Sequence, residues 1–294
     1  MREGEIFMAV KLSGFADEID DNFENQLKGL KENGIEYIEV RGVNQKSVSA
    51  LDKQELGEAV KLLDMYGIRA SAIGSPIGKI RITDDFEEHL RVFGNVMAAA
   101  SAMGTKNIRV FSFFIPEGEY AKYRGEVMRR LGALLERAQK NNLVLCHENE
   151  REIYGESPEH CLDIMRHFGG AVKFVFDPAN FVVGGFETYP ETYDMLSGYI
   201  EYMHIKDADE TGIFPAGYGK GKIKEILTSL ITEKNFEGFL TVEPHLSVFS
   251  GIDELEAEGK KNTLVKNKYR SKAEAFAAAA NALKAILNDI YGGP

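Results

Sequence analysis

The chain has 294 residues, of which 44% are hydrophobic and 28% charged, and it carries a formal net charge of −11 at pH 7. This balance is typical of a globular protein and excludes a disordered chain. No stretch approaches the roughly 20 apolar residues of a membrane span, and an acidic chain repels the phosphate backbone of nucleic acids. We therefore expect neither a membrane nor a nucleic acid as a partner.

Two features of the sequence bear on the cellular compartment. The apolar run within residues 1–11 is too short for a signal peptide. Cys146 and Cys161 have no CxxC spacing and fall on a predicted strand and a predicted helix, which is typical of thiols in a reducing compartment. We expect a cytoplasmic protein without a disulfide framework.

The first half of the chain alternates between strand patterns and helix patterns. Strands are predicted at residues 10–14, 37–41, 68–73 and 107–112. Helices are predicted from a cap at Asp20 to Asn33, and at residues 52–66, 85–103 and 120–141. The first three of these helices are followed by glycines, which are common where helices end.

The second half continues the alternation with four more apolar runs of strand length. These runs cover residues 143–148, 172–177, 200–204 and 239–243. Helices are predicted to start near Ser157, Pro190 and Ile223, and the last one covers residues 271–291. Eight consecutive strand-helix units without a linker predict an α/β protein with one domain over residues 1–294, a (β/α)8 TIM barrel, a fold that typically takes about 250 residues. An open doubly wound sheet is the alternative, but its strand ends would lie along a line and could not meet.

Residues 251–272 form the segment that departs from this rhythm. They lie between the last strand and the last helix and are too many for an ordinary connection. Their second half is rich in lysine and lacks acidic residues, so it could meet an anionic substrate, serve as a lid or subunit contact, or simply be a solvated loop. A homo-oligomer, a dimer or a tetramer, is expected for a barrel of this size.

Each of the last four strands ends on a residue that can bind a metal ion. These end residues are Glu148, Asp177, His204 and Glu243. Their spacing leaves room for a crossover helix each time, so the strands can run parallel with their carboxyl ends together. Each residue alone has an ordinary structural explanation, but four at consecutive strand ends predict one site. Three carboxylates and an imidazole suit Mn²⁺, Mg²⁺ or Co²⁺ and can hold Zn²⁺.

Four short motifs carry a resemblance to a known family. They are His147-Glu-Asn149, Phe176-Asp-Pro-Ala-Asn180, His204-Ile-Lys-Asp207 and Val242-Glu-Pro-His245. In this order the chain resembles the sugar phosphate isomerase/epimerase family, built on the xylose isomerase-like TIM barrel. The resemblance implies one divalent metal ion, manganese first, and a keto-sugar or related polyol as substrate. It also implies that Glu148 and Glu243 are both metal ligands and the acid and base that move a proton next to a carbonyl.

Further residues at strand ends are expected to contact the substrate. They are Glu39, Arg41, Phe114, Asn180, Lys206 and His245. Either Glu39 or Arg41 would reach the sugar, Phe113 and Phe114 would form an apolar wall or pack against a helix, and Lys206 would hold a hydroxyl or neutralise a ligand carboxylate. His147 points away from Glu148 along the strand, and the glycine-rich residues 217–221 are read as the turn after the seventh strand.

Other functions stay open. Asn180 and Glu150 depart from the pattern of ketose 3-epimerases, and the Asp-Pro-Ala-Asn form is similar to branches that include dehydratases of cyclic polyols. A lyase acting at the same metal site is therefore the alternative. A nuclease is disfavoured because the related endonucleases gather three metals with many histidines and this acidic chain has six. A non-catalytic sugar-binding subunit is a further possibility.

Overall fold

The computed structural model describes residues 9–246 and 269–292. Its eight barrel strands are Lys11–Gly14 (β1), Tyr37–Val40 (β2), Arg69–Ile73 (β3), Asn107–Val110 (β4), Val144–Glu148 (β5), Lys173–Phe176 (β6), Ile200–Ile205 (β7) and Phe239–Val242 (β8). The helices in these ranges are Phe23–Glu32 (α1), Lys53–Tyr66 (α2), Phe86–Ala102 (α3), Tyr120–Lys140 (α4), Pro158–His167 (α5), Pro178–Val183 (α6), Glu191–Leu196 (α7), Ile223–Thr232 (α8) and Lys272–Tyr291 (α9).

The eight strands form one parallel sheet that closes almost completely. Hydrogen bonds connect them in the order β1, β8, β7, β6, β5, β4, β3, β2, and β1 and β2 at the two ends of this order contact each other. All carboxyl ends therefore face the same side of the molecule. The prediction of a (β/α)8 TIM barrel is confirmed.

Two apolar layers hold the barrel. Strand residues such as Ile108 and Leu145 share one buried cluster with helix residues such as Leu131. A second, smaller cluster fills the barrel interior and consists of Ala72, Cys146, Val175 and Tyr202. Cys146 and Cys161 are buried and have free thiols. The interior cluster forms an apolar floor for the polar side chains above it.

The capping residues predicted from the sequence mark the helix ends, with one exception at the start of α1. Asp52 and Glu55 form a capping box at the start of α2, and Gly67 ends this helix with a left-handed backbone. The predicted cap of α1 at Asp20 is wrong. Asn22 caps α1, and Asp20 instead accepts a hydrogen bond from the amide of Asn22 at 2.8 Å.

The connections at the carboxyl side contain elements that the sequence pattern did not predict. Helix α6 precedes α7 between β6 and β7, and a hairpin pairs residues 42–43 with 46–47 after β2. A second hairpin pairs Asp207–Asp209 with Gly212–Phe214 directly after β7. The glycine-rich turn at residues 217–221 therefore follows this hairpin and not the strand itself. Of the long segment predicted at residues 251–272, residues 251–268 lie outside the described residues. None of the helices in the described ranges is long and apolar enough to cross a membrane.

Candidate metal centre

The four predicted metal ligands meet at the carboxyl ends of the last four strands. Glu148 ends β5, Asp177 lies between β6 and α6, His204 lies near the end of β7, and Glu243 directly follows β8. All four are buried, and each offers one ligand atom, the four atoms lying within 4.8 Å of one another. Ligand atoms about 2.1 Å from a shared cation have separations of this order.

The ring of His204 is held at both nitrogens. Its Nδ1 lies 2.9 Å from Glu148 Oε1 and 3.2 Å from Glu243 Oε2, so this nitrogen faces the centre. Its Nε2 lies 3.1 Å from Glu39 Oε2, and the other oxygen of Glu39 accepts a hydrogen bond from the Tyr202 hydroxyl. Burial lowers the pKa of His204, but the surrounding carboxylates outweigh this and raise it well above its usual value.

Asp177 is fixed by its backbone and by both carboxylate oxygens. Its amide donates to Asn149 Oδ1 and its carbonyl accepts from Asn149 Nδ2. Oδ1 caps α6 by accepting the amide of Asn180, and Oδ2 lies 2.9 Å from Lys206 Nζ. Burial raises the pKa of Asp177 to about 7, Lys206 opposes this rise, and Glu243 and Glu148 add to it. A metal ion would therefore compete with a proton here.

Basic side chains hold the two glutamates from outside the centre. Arg41 lies 3.3 Å from Glu243 Oε1 and Lys206 lies 3.2 Å from Glu243 Oε2. On the opposite side, Arg109 lies 3.3 Å from Glu148 Oε2. Burial raises the pKa of Glu243, but Lys206 and the neighbouring imidazoles dominate and hold it well below its usual value.

The donor set fits a divalent cation. Asp177 Oδ2 is fully buried beside the ammonium of Lys206, yet it accepts no well-directed hydrogen bond within the described residues. Buried carboxylate oxygens with unused lone pairs are costly unless a ligand satisfies them. Three carboxylates and one imidazole nitrogen form the mixed oxygen and nitrogen set that Mn²⁺, Mg²⁺ and Zn²⁺ accept.

Comparison with known families and structures agrees with this geometry. The family model for the xylose isomerase-like TIM barrel matches residues 27–264. The chain belongs to the xylose isomerase-like TIM barrel family. A comparison with curated proteins gives no match.

Solved structures of this fold are similar over nearly the whole chain. The IolI protein with a bound zinc atom has a TM-score of 0.73 and 17% identity over 96% of this chain and 99% of its own. D-allulose 3-epimerase from Methylomonas sp. has a TM-score of 0.72 and 12% identity over 94% and 96%. The probable 3-DHS dehydratase AsbF from Bacillus anthracis has a TM-score of 0.71 and 15% identity over 94% and 99%. At such identities the likeness concerns the fold.

The xylose isomerase-like barrel brings the predicted substrate residues of the second strand close to the centre. Glu39 is 1% exposed and lies behind His204, where both of its oxygens are engaged. Arg41 is also buried, pairs with both oxygens of Asp17 at 2.8 and 2.9 Å, and reaches Glu243. Both side chains therefore touch residues of the centre.

Three of the predicted substrate residues of the later strands contact the ligands, whereas Phe114 has no contact with them among the described residues. Asn180 Nδ2 donates to Glu148 Oε1 at 3.4 Å, and Lys206 contacts two ligand carboxylates. His245 has a left-handed backbone, and its Nε2 lies 3.3 Å from Glu243 Oε1. Phe114 is half-buried and forms isolated bridges with two neighbouring segments.

Two neighbouring residues have structural positions away from the centre. Phe113 is fully buried and packs edge-on against Phe86, so it belongs to the packing between barrel and helix. His147 points away from Glu148, pairs with Ser112 Oγ at 2.9 Å, and has its pKa lowered to about 3 by burial.

The sequence patterns did not single out several residues that lie at the centre or beside it. Arg109 contacts Glu148, Tyr202 donates a hydrogen bond to Glu39, and Glu18 lies within reach of Arg41. Burial raises the pKa of Glu18 to about 8, Arg41 opposes this, and Glu243 adds to it. One signal was available, because Arg109 is a charged residue between the apolar Ile108 and Val110 in a strand of the barrel.

Proposed function

We propose that the chain is a divalent-metal-dependent isomerase or epimerase that acts on an uncharged keto-sugar or related polyol by proton transfer next to a carbonyl. The observation that carries this proposal is the pair of glutamates, Glu148 and Glu243, which lie 2.9 and 3.2 Å from His204 Nδ1. Both belong to one four-residue centre, so a substrate held there would have two carboxylates within reach. Similar solved structures include an epimerase in complex with D-allulose, which agrees with this substrate class.

The side chains divide the work of proton transfer. One glutamate removes the proton next to the carbonyl and the other supplies one, since either carboxylate can act as acid or base at a reacting carbon. Negative charge then develops on the substrate oxygen, and a bound divalent cation would supply Lewis-acid stabilisation there. His204 and Asp177 would hold the cation, and Glu39 keeps Nδ1 of the His204 ring turned toward the centre.

The charge balance around the centre favours an uncharged substrate. Four basic side chains surround the centre within the described residues, and each is paired with a carboxylate. The pairs are Arg41 with Asp17, Lys79 with Glu150, Arg109 with Glu148, and Lys206 with Asp177. The carboxylates of Glu39 and Glu243 add negative charge that one divalent cation would offset, whereas burial raises the pKa of Glu18 to about 8 and keeps this carboxyl mostly protonated near neutral pH. A phosphate or carboxylate of a substrate would therefore meet no surplus of positive charge.

Metal content is the first test of the proposal. The purified protein should hold about one divalent cation per chain, with Mn²⁺ the first expected, and Asp177→Ala or His204→Ala should lose it because each removes one of few ligands. Elemental analysis of the wild type and both variants measures this. Full metal occupancy in both variants would refute the centre.

A substrate screen in D₂O tests the chemistry. The Mn²⁺-loaded protein is incubated with neutral keto-sugars, cyclitols and glycosides, and with their phosphorylated counterparts as matched controls, and the products are read by NMR and mass spectrometry. Deuterium at the carbon next to the carbonyl, with the neutral compounds preferred, is the expected result. Glu148→Gln or Glu243→Gln should lower kcat by about 10²-fold or more. Unlabelled product would indicate a direct hydride shift instead, and a product lighter by one water would indicate a lyase.

A further inference from the structure

Arg109 is the largest fully buried side chain of the described residues and is 1% exposed. It lies in β4, whose neighbour β5 carries Glu148, and its side chain points into the barrel near the centre. A guanidinium remains charged at any physiological pH, so burying it is costly unless nearby groups compensate. Its position inside a barrel therefore requires an explanation.

Two kinds of contact compensate this charge. Its Nη1 lies 3.3 Å from Glu148 Oε2, and its Nη2 donates to the carbonyl of Ser75 at 3.3 Å. The guanidinium also lies over the rings of Phe111 and Phe15, at 4.9 and 5.3 Å from their centroids. Within the described part of the chain its Nε has no hydrogen-bond partner. The guanidinium thus contacts one carboxylate oxygen, one backbone carbonyl and two aromatic rings.

Phe15 contacts both Arg109 and Arg41, the arginine beside Glu243. Arg41 lies 4.3 Å from the Phe15 centroid, and the edge of this ring also meets His204 at 5.1 Å. The two guanidiniums therefore contact the same phenylalanine ring. Glu148 has Arg109 beside it, whereas Glu243 has both Arg41 and Lys206 beside it.

We propose that Arg109 is the positioning residue of Glu148, holding Oε2 from beneath so that Oε1 is turned toward the metal ion and the reacting carbon. Oε1 is the oxygen that lies 2.9 Å from His204 Nδ1, while Oε2 faces Arg109. Without the guanidinium, the carboxylate plane of Glu148 could turn to orientations in which neither oxygen points at the centre, because only contacts to Oε1 would remain to hold it. Glu243 is held by two other cations, so the effect of Arg109 should pass through Glu148 alone.

A double-mutant cycle tests this route. Arg109→Met is made in the wild type, in Glu148→Gln and in Glu243→Gln, and the Mn²⁺ dissociation constant of each protein is measured by titration calorimetry. Arg109→Met should weaken Mn²⁺ binding about 10-fold or more in the wild type and in Glu243→Gln, as expected for loss of a group that orients a ligand. In Glu148→Gln it should change the constant by less than about twofold, because groups that act through one another are not additive. Equal weakening in all three backgrounds would overturn the proposal.

Arg130 offers a matched control for the loss of a buried arginine. It is 5% exposed, lies over Phe86 and Phe113, and pairs with Glu126 away from the centre. Arg130→Met should lower thermal stability and leave the Mn²⁺ constant unchanged. If Arg109→Met does not fold, Arg109→Lys, which keeps the charge but loses the planar fork, goes through the same cycle with the same criterion.

The rate of deuterium exchange into the substrate gives a second readout, which rests on the proposed function. The same pattern is expected there, with Arg109→Met lowering the rate in the wild type and in Glu243→Gln but not further in Glu148→Gln. A wild type that binds Mn²⁺ but exchanges no substrate proton would refute the proposed function, and the Mn²⁺ cycle would still decide the role of Arg109.

Discussion

Metal binding at this centre should compete with protons, and we predict that the affinity for Mn²⁺ falls as the pH is lowered from 8 to 6. The pKa of Asp177 is raised by burial to about 7, so about nine tenths of this carboxyl are protonated at pH 6 and about one tenth at pH 8. Asp177 alone then raises the apparent dissociation constant about tenfold over this range, or about 1.4 kcal/mol. The raised pKa of His204 adds a second proton in the same direction.

The same shifts determine how stability depends on pH in the metal-free protein. A carboxyl whose pKa is raised on folding contributes stability that is complete below its unfolded pKa and is lost as the pH rises through the folded value. For Asp177 this window runs from about 3.8 to about 7. Mn²⁺ binds the folded state, so it should raise the melting temperature more at pH 8 than at pH 6.

Calorimetry in buffers of different ionisation enthalpy measures the released protons directly. We expect more protons per Mn²⁺ at pH 6 than at pH 8, because Asp177 releases about nine tenths of a proton at pH 6 and about one tenth at pH 8, and His204, whose pKa the surrounding carboxylates raise, adds to both. Asp177→Asn should release one proton fewer at pH 6. A dissociation constant that does not change between pH 6 and 8, with no proton release, would refute the raised pKa values and the competition that follows from them.

Two further predictions concern stability and the support of the centre. Gly219→Ala should lower the free energy of unfolding by more than about 2 kcal/mol in urea denaturation, because its Cβ would lie 2.4 Å from Asp207 Oδ1. Gly57→Ala, within α2 and with no atom within 4 Å of its Cβ, should instead raise it by about 0.5 to 1 kcal/mol, and a loss would contradict the open position. Tyr202→Phe removes the hydrogen bond to Glu39 at 3.0 Å and should weaken Mn²⁺ binding about tenfold with an unchanged circular dichroism spectrum. An unchanged Mn²⁺ constant would show that Glu39 orients His204 without the hydroxyl.

The barrel was predictable because its signals are local. Apolar runs, caps such as Asp52 and end glycines such as Gly67 act within one element, and their alternation specifies the order of strands and helices. The connections were less predictable. Helix α6 has six residues and depends on Asp177, which caps it while its other oxygen faces Lys206. A short helix whose cap belongs to the centre has little sequence signal of its own.

Asp207, the last residue of the third motif, shows the limit of motif reading in this chain. It lies three residues after His204, yet none of its side-chain hydrogen bonds within the described residues reaches the four ligands. Its carboxylate accepts four backbone amides, those of Ala208, Gly217, Gly219 and Gly221. The glycine-rich turn thus closes around a carboxylate of the preceding strand, a contact that spacing alone does not reveal. One four-residue motif therefore contains the candidate ligand His204, the loop anchor Asp207, and Lys206, which pairs with the ligand carboxylates of Asp177 and Glu243.

The basic side chains around the centre are explained by the repulsion between buried carboxylates better than by any sequence motif. Three carboxylates within a few ångströms of each other repel one another, and burying them without compensation would cost several kcal/mol per charge. Cations must therefore come from elements around the centre, and they do: Arg41 follows β2, Arg109 lies in β4 and Lys206 follows β7. A charged residue on an inward position of an otherwise apolar barrel strand is thus a signal for a buried partner of opposite charge. Applied to β4, where Arg109 stands between Ile108 and Val110, this rule leads from the sequence to the residue that holds Glu148.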